Sequence, residues 1–137
     1  LTTLLQHHRE KLLAWITERE SVLDQPRVSK LGVANNSNDN AADQFKRLAA
    51  NEKTTLVAWM INVFQPATKV CRQHTSYGLK HYFEHSPLGF YVTNGEFKGA
   101  MLIAGFEPWN ADEMNWRYHI TATSVERVRQ VSTNQWN

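Results

Sequence analysis

The residues best suited to chemistry in this chain are cations in its second half. Lys69, Arg72, Lys80, His81, Lys98, Arg117, Arg127 and Arg129 gather there, diluted by Glu84, Glu96 and Glu126. Lys and Arg side chains bind phosphates by displacing condensed counterions. Asn94 stands near the start of a predicted helix, where an amide side chain can pair bidentately with an adenine edge and backbone amides attract an anion. Gly95 and Gly99 have no side chains, so a partner could approach that helix closely. Lys80, Asn94, Lys98, Arg117, Arg127 and Arg129 are therefore the candidate nucleic-acid contacts. Lys98 is the sole cation on the outward face, beside Glu96, and ordinary solvated charge is the competing reading for the whole set.

The five tryptophans, Trp15, Trp59, Trp109, Trp116 and Trp136, point to a protein partner instead. Trp109 follows Pro108 at the head of a predicted hairpin, where an exposed aromatic would serve as a binding hot spot. The alternative is that it packs on the hairpin's own underside. Trp15 and Trp59 lie on helical stripes and are expected to be structural.

Cys71-x2-His74 and His81-x3-His85 have spacings found among zinc ligands. No second cysteine pair accompanies them, and the histidines also suit a helix surface, so no metal or cofactor is assigned. Catalytic signatures fare no better. There is no GxxxxGK[ST] loop, nucleophile elbow or HExxH helix, and a Cys71–His74 pair would need a depressed thiol pKa that spacing does not supply. The chain reads as non-catalytic.

These residues need elements to hold them. Leu5, Leu12, Trp15 and Ile16 recur at helical spacing across residues 3–20 and predict an amphipathic helix, ended at Asp24-Gln25-Pro26. Asn35-Asn36-Ser37-Asn38-Asp39-Asn40 favours turns and is expected to form a mobile connection. Asn40 is placed to cap a helix bearing Phe45 and Leu48. A second stripe, Leu56, Val57, Met60, Ile61 and Phe64, runs to Pro66, giving one long helix or a pair.

Residues 76–85 form a helix with Leu79, Tyr82 and Phe83 inward, closed by Ser86-Pro87, and Gly89-Phe90-Tyr91-Val92 is a short extended segment. Thr93 and Glu96 make a capping box for a helix whose core face is Phe97, Ala100, Met101 and Ala104. Gly105 is the expected positive-φ terminus. Residues 106–109 and 115–120 read as two strands, with Trp116, Tyr118 and Ile120 alternating against Arg117 and His119. Thr123-Ser124-Val125-Glu126 is a second capping box before a short last helix carrying Val125 and Val128. Residues 132–137 would fray unless Trp136 docks.

A length of 137 residues and 15.8 kDa suits a single domain, 1–137, with a core of its own. Hydrophobic residues at 42% and charged residues at 20% exclude a disordered class, and no apolar run approaches the ~20 residues that cross a bilayer. The opening residues have neither a basic leader nor a long apolar stretch and are not a secretory signal. The absence of an initial Met leaves room for residues upstream. A lone Cys71 fits a reducing compartment, which makes the cytoplasm the expected setting. A net charge of +2 is too mild to declare a nucleic-acid binder by itself.

The order helix, short strand, capped helix, glycine and hairpin is that of a winged helix, with residues 76–85 as the supporting helix, 93–104 as the recognition helix and 106–120 as hairpin and wing. The strings Ser76-Tyr77-Gly78-Leu79-Lys80-His81, residues 89–102 (GFYVTNGEFKGAML) and Gly105-Phe106 resemble a pattern from small proteins of phages and mobile elements. That likeness covers about residues 75 to 120. It implies a life in phage, plasmid or host-defence conflict, and no site residues.

The expected architecture is thus α+β and mainly helical, with a helical part at 1–65, a winged-helix-like part at 66–131 carrying a small β-hairpin, and a tail at 132–137. The expected function is that of a non-catalytic protein-binding module of a phage or mobile element, acting on a host defence complex in the manner of an anti-CRISPR. A winged-helix DNA-binding protein is the alternative. The partner would be a host or element-encoded protein, or DNA, and not a membrane. The oligomeric state stays open, since the first helix could pair with its own copy.

Overall fold

Thr93 and Gly105 carry strong helix-end signals, and the helix between them forms as those signals require. In the computed structural model, which describes residues 2–25 and 38–135, it spans Asn94–Ala104. Glu96 N donates to Thr93 Oγ1 and Thr93 N to Glu96 Oε1, at 3.1 and 2.8 Å. Gly105 closes the helix at φ 100°, and Phe106 N returns to Met101 O. Both are local hydrogen-bond solutions that tertiary packing leaves intact.

Around it in chain order stand α1 (Thr2–Arg19), α2 (Ala50–Val63), α3 (Ser76–Glu84), α4 (the helix just described) and α5 (Ala122–Gln135). Among the described residues, three 3₁₀ turns, Glu20–Asp24, Asn38–Asn40 and Ala42–Arg47, lie between α1 and α2. The helix α4 meets all three turns as well as α2 and α3, and every residue from 94 to 103 is buried. Phe97, Ala100, Met101, Leu102 and Ile103 make it apolar well beyond one stripe, the composition of a helix enclosed on all sides. Its two glycines set the packing distance. A Cβ on Gly95 would stand 2.2 Å from Ala41 O, and one on Gly99 2.2 Å from Ala42 O, so the Ala42–Arg47 turn lies directly on the α4 backbone. The buried cluster draws on both halves of the chain, from Ile16 and Phe45 to Trp116 and Val125.

This arrangement overturns the α+β, winged-helix-like architecture. The would-be recognition helix is the centre of the core, and no strand forms among the described residues. The expected hairpin reduces to isolated antiparallel bridges, Pro66 with Ile120 and Pro108 with Tyr118. Each contains a proline, which has no N–H to donate, so neither ladder can extend through that position. Residues 116–121 nevertheless hydrogen-bond to segments on either side. Thr121 N donates to Gln65 O, Ala67 N to His119 O and Cys71 N to Tyr118 O, while Trp109 N reaches Arg117 O. Trp116, Tyr118 and Ile120 are buried and Arg117 and His119 half-buried, as their alternation predicts.

Other boundaries shift for local reasons. Residues 42–47 form a 3₁₀ turn begun at Ala41, not an α-helix capped by Asn40, and α2 starts separately, with Glu52 reaching back to Ala49 N at 2.8 Å. The last helix begins before its expected cap. Thr121 accepts from Ser124 N at 3.2 Å, and α5 continues to Gln135, with Ser132 buried and donating to Tyr82 O. On α1, Ile16 is buried, Leu12 is half-buried, and Leu5 and Trp15 face outward, Trp15 under the Arg19 guanidinium. The first helix ends at Arg19, and the 3₁₀ turn after it stops at Asp24, where Gln25 turns extended; Pro26, most of the 35–40 connection and the docking of Trp136 lie outside the described residues.

Candidate functional site

Two of the expected contact residues, Lys80 and Asn94, come together in a pocket of about 420 Å³ between α3, the start of α4 and residues 114–115. Asn94 is its structural hub. Its Nδ2 donates to Asn40 Oδ1 at 3.0 Å, Asn115 Oδ1 at 2.9 Å and Met114 O at 3.2 Å, while its Oδ1 accepts from Ser76 Oγ at 2.8 Å. A buried amide with every atom occupied fixes its neighbours and has no edge left to read a base.

Lys80, on α3, lines the pocket and pairs with Glu84 one turn on. The side chain of Lys80 is 5% exposed and its ammonium donates to Glu84 Oε2 at 3.1 Å. Glu84 also accepts from Val92 N at 3.0 Å and meets His81 Nδ1 at 3.0 Å. The Lys80 ammonium lies 5.4 Å from the Tyr77 ring centre and 5.0 Å from that of Tyr91, within cation–π range. Tyr77, Tyr91, Asn40 and Asn115 were absent from the sequence-based site. Asn40 is 54 residues from Asn94, and no short-range spacing joins them.

The remaining candidates do not form one basic face. Lys98 is 0% exposed; its ammonium donates to Met114 O at 2.9 Å and lies 4.6 Å from the Trp116 ring centre. Burial lowers its pKa from 10.5 to about 8. It is a core residue and cannot dock phosphate. Arg117 pairs with Glu113 at 2.8 Å and donates to Arg72 O. Arg72 in turn covers the ring of Trp109, which is 45% exposed. Arg129 is held by Glu126, and that hydrogen bond pulls the Glu126 carboxyl below its ordinary value. Arg127 is exposed on α5. The α4 N-terminus is likewise closed to an outside anion, because Asn94, Gly95 and Glu96 are buried and the Thr93 hydroxyl takes the Glu96 amide.

The zinc-like spacings do not converge. Cys71 is buried against Gln73, His74 packs edge-on to Tyr82, and His81 and His85 stack at 6.5 Å. Among the described residues no group of three or more His, Cys, Asp or Glu is placed to hold a metal ion.

An apolar trough is the second concave feature. Depressions of about 430 and 230 Å³ share Trp59, Asn62 and Val63. Leu12, Ala58, Trp59, Phe83 and Val128 line them, and Trp59 is locked edge-on between Phe64 and Phe83. The charged or titratable lining residues are His8, Arg9, Tyr82 and Arg127, with no carboxylate among the described ones. Leu88, 77% exposed, and the exposed Val131 stand at its edges. No described helix is long and apolar enough to cross a membrane. No family model, no curated protein and no solved structure matches the chain.

Proposed function

We propose that this chain is a non-catalytic protein-binding module that receives an acidic amphipathic segment of its partner in the trough floored by Trp59. The observation that carries this reading is the combination of an apolar floor with a rim whose lining charges, Arg9 and Arg127, are both positive. Exposed apolar side chains grouped at a concave surface mark association sites far more often than scattered ones do. A tryptophan fixed by its neighbours adds contact area at little entropic cost. The basic rim suits carboxylates flanking the apolar residues of the incoming segment and would speed encounter.

The setting we propose, a phage or mobile element acting on a host defence protein inside the cell, rests on the resemblance, read from the sequence, of residues 75 to 120 to a pattern from small proteins of phages and mobile elements. The winged-helix DNA reading loses the exposed recognition helix it relied on, since α4 is buried.

Photo-cross-linking tests the trough. A cross-linking residue at Leu88 or Val131 should trap a protein from host extract, and Arg127→Glu should lower the yield. The same probe at Tyr91, outside the trough, should trap far less. Cross-links at Tyr91 alone, indifference to Arg127→Glu, or trapping of only a second copy of this chain would each overturn the proposal.

A further inference from the structure

The pocket around Asn94 shares no lining residue with the trough, and its chemistry is different. Asn94 Nδ2 draws the side-chain oxygens of both Asn40 and Asn115 towards itself. An amide whose oxygen is turned one way has its NH₂ at the other corner, and neither of these NH₂ groups has an acceptor among the described residues. Lys80 adds to them. Its ammonium carries three N–H groups, of which Glu84 Oε2 takes one, and the side chain is more than nine-tenths buried against the pocket. Glu84 itself is occupied by Lys80, His81 and Val92 N. The inner wall of the pocket therefore offers N–H donors, and the Asp39 carboxylate stands at the rim. Beside them stands a flat aromatic surface, since Tyr91 is 72% exposed and Tyr77 53% exposed.

We propose that this pocket binds a nucleotide unit, either free or at the end of a single strand, with its ring stacked on Tyr91 and its phosphoryl oxygens on Lys80 and the amides of Asn40 and Asn115. A pocket of about 420 Å³ falls within the range that holds small ligands. Base stacking on an aromatic side chain tolerates any base identity, and an ammonium with amide donors suits phosphoryl oxygens. Asp39, exposed at the rim, supplies an acceptor for an exocyclic amino group.

The probes are 5′-AMP, adenosine, inorganic phosphate and a short oligothymidylate, each titrated into the ¹⁵N-labelled chain and followed by the side-chain amide signals of Asn40 and Asn115. AMP is expected to shift both and to bind more tightly than adenosine or phosphate alone. Tyr91→Ala, at an exposed position that leaves the core untouched, should weaken AMP roughly tenfold, and Lys80→Met should weaken it further wherever the variant stays folded. Tighter binding of the oligonucleotide than of AMP would assign the strand end as the source, and the reverse would assign the free nucleotide. No shift at millimolar AMP, equal affinity for AMP and adenosine, or unchanged affinity in Tyr91→Ala would overturn the site.

Discussion

Lys98 holds its ammonium 4.6 Å from the centre of the Trp116 ring, fully buried, with Met114 O as its hydrogen-bond acceptor. The ring face and one carbonyl offset only part of the lost hydration, and burial lowers the pKa from 10.5 to about 8. Between those values the unfolded chain binds more protons than the folded one, so stability rises with pH across the window. The slope contributed by Lys98 reaches at most ~1.4 kcal/mol per pH unit. Urea midpoints measured from pH 7 to pH 10 should climb in the wild type. Lys98→Met should be the more stable protein at pH 7, by ~1–3 kcal/mol, and should lose that climb. A less stable Lys98→Met variant would show that the ammonium contributes more than its desolvation costs.

Tyr118 opposes this trend at higher pH. Its hydroxyl is buried without a hydrogen-bond partner among the described residues, and burial raises its pKa well above 10.0. The unfolded tyrosine ionises first, so above pH ~10 each further rise favours the unfolded chain. Tyr118→Phe removes an unsatisfied polar atom and little volume. It should match or exceed wild-type stability at pH 7 by up to ~1 kcal/mol and soften the alkaline decline. A loss of more than ~1 kcal/mol would mean the hydroxyl has a partner in solution.

Why these burials escaped the sequence is a matter of range. The caps of α4 depend on atoms three to five residues apart, and Thr93, Glu96 and Gly105 were legible for that reason. Whether Lys98 faces water depends on Met114 and Trp116, which lie beyond the end of its own helix and reach it only through the fold. A warning was present all the same: Leu102 and Ile103 sit beside the predicted stripe of Phe97, Ala100, Met101 and Ala104, so the helix has no broad polar face. Gly95 and Gly99 read as a place where a partner could approach closely, whereas the backbone that approaches them is the chain's own. The missing hairpin was signalled by Pro66 and Pro108, which stand where ladder donors would be needed. The pocket was half legible. Lys80 and Asn94 were found by type, whereas Asn40 and Asn115 belong to it only through the fold.

The glycines provide a contrast within one residue type. Gly95→Ala and Gly99→Ala drive a methyl to 2.2 Å from the carbonyl oxygens of Ala41 and Ala42, where backbone must move. Each should lower stability by ~2 kcal/mol or more. Gly78, inside α3, has nothing within 4 Å of an added Cβ, and Gly78→Ala should raise stability by ~0.5–1 kcal/mol through helix propensity. Thermal denaturation of the three variants checks both signs together. Similar losses in all three would contradict the close packing of α4 on the Ala42–Arg47 turn.

Asn94→Asp is the sharpest test of the hub, because it changes one donor into an acceptor at almost constant shape. The introduced carboxylate would face the side-chain oxygens of Asn40 and Asn115 and the carbonyl of Met114, all of which now accept from Asn94 Nδ2. Two of these can adapt by flipping their amides, but the carbonyl cannot. The expected loss at pH 7 is ~2–4 kcal/mol. Burial and the surrounding oxygens raise the carboxyl pKa in the folded state above its unfolded value of about 4. The penalty is therefore complete above the folded pKa and fades as pH falls towards 4, where the protonated group can donate again. Stability relative to wild type should recover on acidification. A pH-independent deficit would mean that the position acts by packing alone, and the orientation assigned to the amides of Asn40 and Asn115 would have to be withdrawn.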